Sequence, residues 1–304
     1  MCELSIVIVN WNSWPFLRAC LNSIYSSPPA FPFETIVVDN ASSDGSRELL
    51  PKEFPLVRLI VNTANLGFPA ANNQGASMAA GRFLLFLNPD TQVPPGTLAG
   101  AVAFMEAHRD AGIMGCRTMN NDGSLQASAF NFTGKLRIFA YVSGLNRFFK
   151  LSRFSDHSTL RTPDYVQGSF LIIRKKLFND CGRFDERFFL YAEEVDLCIR
   201  ITAAGFKVYY YPDIFILHYG GGSGRNSLVA LGHFIQSHIH LYRKYRPPRE
   251  GIKLLRVLRS ALRLRRVLEL VLSPRHYGER NKAVTELLRD LPSVEAERTS
   301  GHGG

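Results

Sequence analysis

Paired cysteines, long apolar runs and a basic leader are all missing from this 304-residue chain. Its five cysteines, Cys2, Cys20, Cys116, Cys181 and Cys198, are scattered and form no C-x-x-C pair. That spacing argues against a disulfide framework or a structural zinc site and leads us to expect a reducing compartment. No apolar stretch approaches the roughly 20 residues that span a bilayer. The amino terminus runs straight into LSIVIVNWN without a cleavage-like site, so no signal peptide is expected. Internal repeats are absent as well.

Charge of one sign is absent from most of the chain. The net charge is +10, from 36 Lys and Arg against 26 Asp and Glu. Residues 243–282 hold thirteen of those cations and only three glutamates, so the whole excess sits there. A neutral body with one basic C-terminal segment points to an anionic partner for that segment. It does not describe a generally basic protein, and no nucleic-acid recognition motif accompanies the charge.

What is present is an ordinary globular composition, 46% hydrophobic and 20% charged. The first 120 residues alternate short β-branched runs (4–10, 33–39, 57–62, 82–88) with helical stretches (Pro15–Ser26, about Gly45–Glu53, Phe68–Ala80). This rhythm predicts a mostly parallel, doubly wound α/β sheet, whose ligands sit beyond the C-terminal strand ends. Those ends carry Asn10, Asp39, Asn62 and Asn88-Pro89-Asp90. Further on, 131–164 reads as an irregular, basic and aromatic loop over the site, and 165–178 as a strand entering a short helix. A helix starts near Glu193, two short strands fill 207–224, and another helix runs from about Asn226 to Tyr245.

Several groups could carry chemistry. Asp39 could accept hydrogen bonds from a nucleotide, or serve only as a helix cap, a role that Ser43 or Asp44 can also fill. Asn88-Pro89-Asp90 could be a metal site or a plain turn. Asn72 and Asn73, early in a helix, hint at side-chain duties. Glu193, Glu194 and Asp196 could be favourable acids in a first helical turn, or include a general base raised by the apolar FFLY before them. His218, ending an apolar strand, could be structural or a ligand, and the glycine-rich loop behind it with Arg225 could approach a phosphate.

Taken in order, SIVIVNWN, VVDNASSDGS, NLGFPAANNQG, FLNPDT, QGSFLIIRK, GRFDERFFLYAEEVDLCIR and ILHYGGGS resemble family-2 glycosyltransferases, inverting enzymes of the GT-A fold. The likeness is strongest to bacterial rhamnosyltransferases and galactofuranosyltransferase-like relatives. It implies a Rossmann-like GT-A domain over 1–246 and a basic helical extension over 247–304. It implies that Asn10 and Asp39 line the nucleotide pocket, and that Asn65, Gly67 and Asn73 line the donor pocket near the diphosphate and sugar. Asn88-Pro89-Asp90 stands where relatives have D-x-D, so Asp90 would hold Mg²⁺ or Mn²⁺, with His218 a further ligand; Asn88 counts with the donor-binding residues and would either touch the metal or brace the turn that aims Asp90. Glu194 would be the catalytic base, with Asp196 and Arg200 on the acceptor side. Many relatives have Asp at the position of Glu194, and a longer carboxylate can still take the proton.

The resemblance further implies a nucleoside-diphosphate sugar donor (dTDP or UDP, with dTDP-rhamnose foremost) and a cell-envelope or lipid-linked glycan acceptor. Residues 251–273 read as a basic amphipathic helix with Leu255, Leu258, Leu262 and Glu269 on one line. Either it lies on a membrane surface, giving a cytoplasmic protein peripheral to the inner face, or it packs on its own domain with a solvated basic face. Rival readings are a sugar-nucleotide-binding or scaffold protein without turnover, and a sugar-1-phosphate nucleotidyltransferase. The latter needs a glycine-rich basic loop after the first strand, which VNWNSWPFL lacks.

Overall fold

The computed structural model describes residues 2–132, 134–147, 157–220, 228–272 and 277–293. Its strands and helices run β1 (Leu4–Asn10), α1 (Trp14–Tyr25), β2 (Phe33–Asp39), α2 (Ser46–Glu53), β3 (Arg58–Val61), α3 (Phe68–Met78) and β4 (Phe83–Leu87). There follow β5 (Thr91–Gln92), α4 (Thr97–Ala107), β6 (Ala111–Met119), β7 (Leu125–Gln126), β8 (Ala129–Phe130), α5 (Lys135–Ser143), β9 (Tyr165–Val166) and β10 (Phe170–Arg174). The chain continues with α6 (Lys175–Asp180), α7 (Glu193–Ala203), β11 (Lys207–His218), α8 (Leu228–Tyr245), α9 (Pro248–Leu272) and α10 (Tyr277–Arg289). These elements form two compact units: the strands with α1–α4, α6 and α7, and the helices α5 and α8–α10.

The first unit is a mostly parallel sheet in the order β3-β2-β1-β4-β10-β6-β11-β5, with β7 paired to β6. Strands β1 and β4 are buried along their whole length, as the near-continuous apolar runs LSIVIV and FLLFL require of central parallel strands. Alternation divides them between two layers. Ile6, Ile8, Leu85 and Leu87 pack with α1 and α4 residues such as Leu17, Leu21, Ala101 and Met105. Val7, Leu84 and Phe86 pack on the other side with Ala76, Leu171, Phe178 and Ile201.

One strand direction is new here, and one expectation changes. The run FLIIR of β10 enters antiparallel between β4 and β6, because a short apolar run fixes strand type but not direction. The two short strands expected over 207–224 are one twelve-residue strand, β11, whose pairing with β6 shifts register between Tyr211 and Phe215. Pro212 lies in that interval and has no N–H to give the ladder, which is why the irregularity falls there. The glycines after Gly220, and Arg225 with them, lie outside the described residues.

The helical unit draws on more of the chain than 247–304. Ile138 and Val142 of α5, Leu231 and Ile235 of α8, Leu254, Leu255, Leu258 and Leu262 of α9, and Val284 of α10 share one apolar core. Part of the segment expected to be irregular is therefore helix α5, while 133 and 148–156 of that expected loop lie outside the described residues. The apolar line of α9 faces inward. Even Glu269 is buried, ion-paired to Arg280 at 2.7 Å. The packed-helix alternative thus holds for this face. Among the described residues no helix is long and apolar enough to cross a membrane, and all five cysteines are free.

Helix α3 lies so close to β1 that a Cβ on Gly75 would stand 2.4 Å from Val7 Cγ1. Alanine is favoured over glycine in a helix by about 1 kcal/mol, but overpacking a core costs about 1–3 kcal/mol. Gly75→Ala should therefore lower the urea midpoint of the sheet unit; a raised midpoint would show that propensity outweighs the contact.

Candidate active site

The sheet's parallel half sets the polar residues side by side. Asn10 pairs in register with Asp39 at the ends of β1 and β2, and Asn88 follows the last residue of β4. Asp39 is 1% exposed. Its Oδ2 accepts from Asn10 Nδ2 (2.9 Å) and Ser46 Oγ (3.1 Å), and its Oδ1 from the Ser42 N–H and Arg47 Nε (both 2.9 Å). Burial works to raise this carboxyl, yet the hydrogen bonds from Ser42, Asn10 and Arg47 outweigh it and hold the group below the usual carboxylate range. A carboxylate offers about four lone-pair sites, so a nucleobase reaching Asp39 must displace a donor. Arg47, with a side chain 32% exposed, is the one placed to move.

Asn40, which the sequence reading passed over, organises the neighbouring loop. Its Nδ2 donates to Asn65 Oδ1 (3.0 Å) and to the Gly67 carbonyl (3.1 Å), and its Oδ1 accepts from Asn62 Nδ2 (2.9 Å). Asn65 Oδ1 also accepts the Gly67 N–H at 3.0 Å. Gly67 has φ +84°, and a Cβ there would lie 2.6 Å from the Phe189 carbonyl oxygen. Only glycine meets both demands. The amide of Asn73 is engaged elsewhere: it donates to the Phe184 carbonyl and Glu186 Oε1 (both 2.9 Å) and accepts the Phe184 N–H (3.1 Å). It clamps the segment leading towards α7, so any part it takes in a donor pocket is through that segment.

Beyond β4, the brace of the Asn88-Pro89-Asp90 turn is the Asn88 backbone. Its carbonyl accepts Thr91 Oγ1 at 2.8 Å and its N–H donates to the Ser169 carbonyl at 3.1 Å. The side-chain amide of Asn88, half-buried, makes no hydrogen bond among the described residues. The two-residue strand β5 pairs antiparallel with the end of β11, Thr91 opposite His218. That register brings Asp90 Oδ1 to 3.2 Å from His218 Nε2, both side chains buried.

The other imidazole nitrogen, Nδ1, lies 2.5 Å from Gln126 Oε1. Gln126 Nε2 in turn donates to Asn120 Oδ1 (3.1 Å), and Asn120 Nδ2 to Ser124 Oγ (2.9 Å). This orientation of the amides makes Nδ1 a proton donor and sets Nε2 towards the Asp90 carboxylate. At that distance the two atoms share either a proton or a metal ion. One carboxylate and one imidazole do not make a closed protein cage, so a divalent ion held there would need further oxygen ligands from outside the chain. Among the described residues no cluster of three or more ligating side chains occurs. Gln126 carried no signal in the sequence, because only the β6–β7 pairing brings it to His218.

The acidic start of α7 forms a separate group. The chain enters it through Tyr191 and Ala192, both in left-handed backbone (φ 70° and 66°), a conformation costing about 1–3 kcal/mol per non-glycine residue. Asp196 is fully buried, and its Oδ2 accepts from Arg200 Nη2 (2.7 Å) and Nε (2.9 Å); Arg200 also donates to the Cys181 carbonyl. The pair expected on the acceptor side thus ties α7 to the turn after α6. Glu193 is 4% exposed, and its Oε2 has no hydrogen-bond partner among the described residues. Burial, and then the neighbouring Glu194, push its carboxyl well above the ordinary value. Glu194, one residue on, is only half-buried.

A raised native value means that the folded chain keeps a proton the unfolded chain releases. Stability contributed by the neutral Glu193 is therefore complete below the ordinary carboxyl value of 4.5 and falls as pH climbs above it. Glu193→Gln, which is neutral throughout, should stabilise the protein above neutrality and give no gain near pH 4.5 or below. Denaturation midpoints across that range measure it, and a pH-independent difference would refute the assignment.

The likeness to known proteins falls on this same region. The glycosyl transferase family 2 model matches residues 5–182. The N-acetylglucosaminyl-diphospho-decaprenol L-rhamnosyltransferase of Mycobacterium tuberculosis is 30% identical over 234 residues, 71% of this chain and 76% of that protein. Rhamnosyltransferase WbbL of Escherichia coli K12 is 29% identical over 146 residues, 47% of this chain and 54% of that one. Among solved structures, mannosyltransferase PcManGT from Pyrobaculum calidifontis, in complex with GDP-Man and Mn²⁺, aligns over 98% of this chain and 86% of its own with a TM-score of 0.57 at 16% identity, a likeness of fold alone. With a polar strand edge on a mostly parallel sheet and a family match over more than half its length, the chain belongs to glycosyl transferase family 2.

Proposed function

We propose that this family-2 glycosyltransferase moves rhamnose from dTDP-rhamnose, with inversion, to a hydroxyl of a lipid-linked or cell-envelope glycan met at the cytoplasmic surface of a membrane. The observation that carries an active transferase is the convergence of Asp90 and His218 at the polar edge of the sheet. The donor sugar rests on the mycobacterial and E. coli relatives, both named rhamnosyltransferases.

In this reading the Asn10–Asp39 corner receives the nucleotide, with Arg47 yielding its place on the carboxylate. The loop fixed by Asn40, Asn65 and Gly67, together with Asn73 through its clamp and the Asn88 amide, receives the diphosphate and sugar. Asp90 and His218 would hold Mg²⁺ or Mn²⁺, which would supply positive charge to offset that of the diphosphate. Glu194 takes the proton of the acceptor hydroxyl as its oxygen bonds to the anomeric carbon. The bond from that carbon to the diphosphate oxygen breaks on the opposite face. Asp196 and Arg200 keep α7 in place on the acceptor side.

A screen of dTDP, UDP and GDP sugars with Mg²⁺ or Mn²⁺ should give nucleoside diphosphate release from dTDP-rhamnose. Glu194→Gln should lower that rate about 10²–10⁴-fold with donor binding kept. Donor binding without release from any sugar would favour a binding or scaffold protein instead. Separately, Gln126→Leu should weaken Mn²⁺ binding about 10–100-fold, read by calorimetry in the presence of dTDP. Unchanged affinity would remove the metal from His218.

A further inference from the structure

With its apolar line buried in the helical unit, α9 shows solvent a different face. Arg249, Lys253, Arg256, Ser260, Arg263, Val267, Leu270 and Val271 are all exposed. At about 100° per residue they fall within roughly 60° of a single line along the helix. The stripe is ordered: cations occupy its first four turns and aliphatic side chains its last. Val267, Leu270 and Val271 are 58%, 51% and 70% exposed.

No acid interrupts it. Glu250 lies to the side, ion-paired to Lys135 at 2.5 Å and to Lys253 at 2.7 Å, and Glu269 is buried on the opposite face. Arg249, Arg256 and Arg263 have no ion pair among the described residues. A helix face that serves only solubility mixes both signs and hides its aliphatics. This one does neither.

We propose that this outward stripe is the surface by which the protein seats on a bilayer bearing anionic phospholipids. The cations meet phosphate headgroups, and Val267, Leu270 and Val271 enter the boundary between headgroups and acyl chains. The aliphatic end decides the class of partner, since a nucleic acid rewards the cations but offers nothing to exposed valine and leucine. The inference rests on the membrane-surface acceptor of the proposed function and moves the contact to the face opposite the apolar line that the sequence singled out.

The test is co-sedimentation of the full chain with vesicles of phosphatidylcholine alone or of phosphatidylcholine with phosphatidylglycerol. Binding should require phosphatidylglycerol and weaken as salt is raised. Each cation removed should cost roughly fivefold, so R249Q/R256Q/R263Q should bind about 100-fold more weakly. V267S/L270S should lose binding even at low salt. All the substituted side chains are exposed, so circular dichroism should match the parent. Nucleoside diphosphate release from the donor should also persist in these variants, which separates failure of docking from failure of the transferase reading. Equal binding to neutral vesicles would overturn the proposal. So would parent-like binding by either variant, or oligonucleotide binding that competes with the vesicles and ignores V267S/L270S.

Discussion

A parallel sheet covered on both faces can carry polar chemistry only where its strands stop. Along β1 and β4 every side chain is buried, and an uncompensated polar group there would cost several kcal/mol. The chain therefore changes character within one residue, from Val9 to Asn10, from Val38 to Asp39 and from Leu87 to Asn88. Because β1, β2 and β4 are adjacent and parallel, those changes fall on one edge. The remaining parts of the site are arrangements made at that edge. Asp39 is held by four donors, Asn40 ties down the loop before α3, and a two-residue strand carries Asp90 to His218.

Much of this was legible in the amino-acid order. Apolar runs with polar ends located β1, β2 and β4, the pattern after Gly67 located α3, and FLYAEEVD located the start of α7. What remained hidden depends on pairing between distant segments. The direction of β10 is set by where the chain re-enters the sheet, not by FLIIR. Helix α5 looked irregular because Ile138 and Val142 make sense only against α8 and α9. Asn40 and Gln126 look like ordinary loop residues until their partners, 25 and 92 positions away, are known. In α9 the periodicity was plain, but which of its two amphipathic faces meets solvent was settled by packing.

The two adjacent glutamates show how position outweighs residue type. Glu193 and Glu194 share chemistry and neighbours in sequence, yet helical rotation buries one and leaves the other half-buried. Burial, with the neighbouring Glu194 adding to it, pushes the first carboxyl well above the ordinary value. The same logic separates Asp39 from Glu193. Both are buried, but the donors around Asp39 hold it below the usual carboxylate range, whereas Glu193 Oε2 has none among the described residues.

The turn between β6 and β7 has a consequence for how the chain can vary. Gln126 reaches His218 because it stands opposite Thr118, with Leu125 opposite Met119, across the short connection Asn120–Ser124. Side chains alternate faces along a strand, so a residue gained there that shifted the pairing would turn Gln126 to the other face and bring Leu125 opposite Thr118, and a residue lost would bring Ala127 there. An exposed surface turn, ordinarily the most permissive place for insertions, is here restricted to changes that leave Gln126 opposite Thr118.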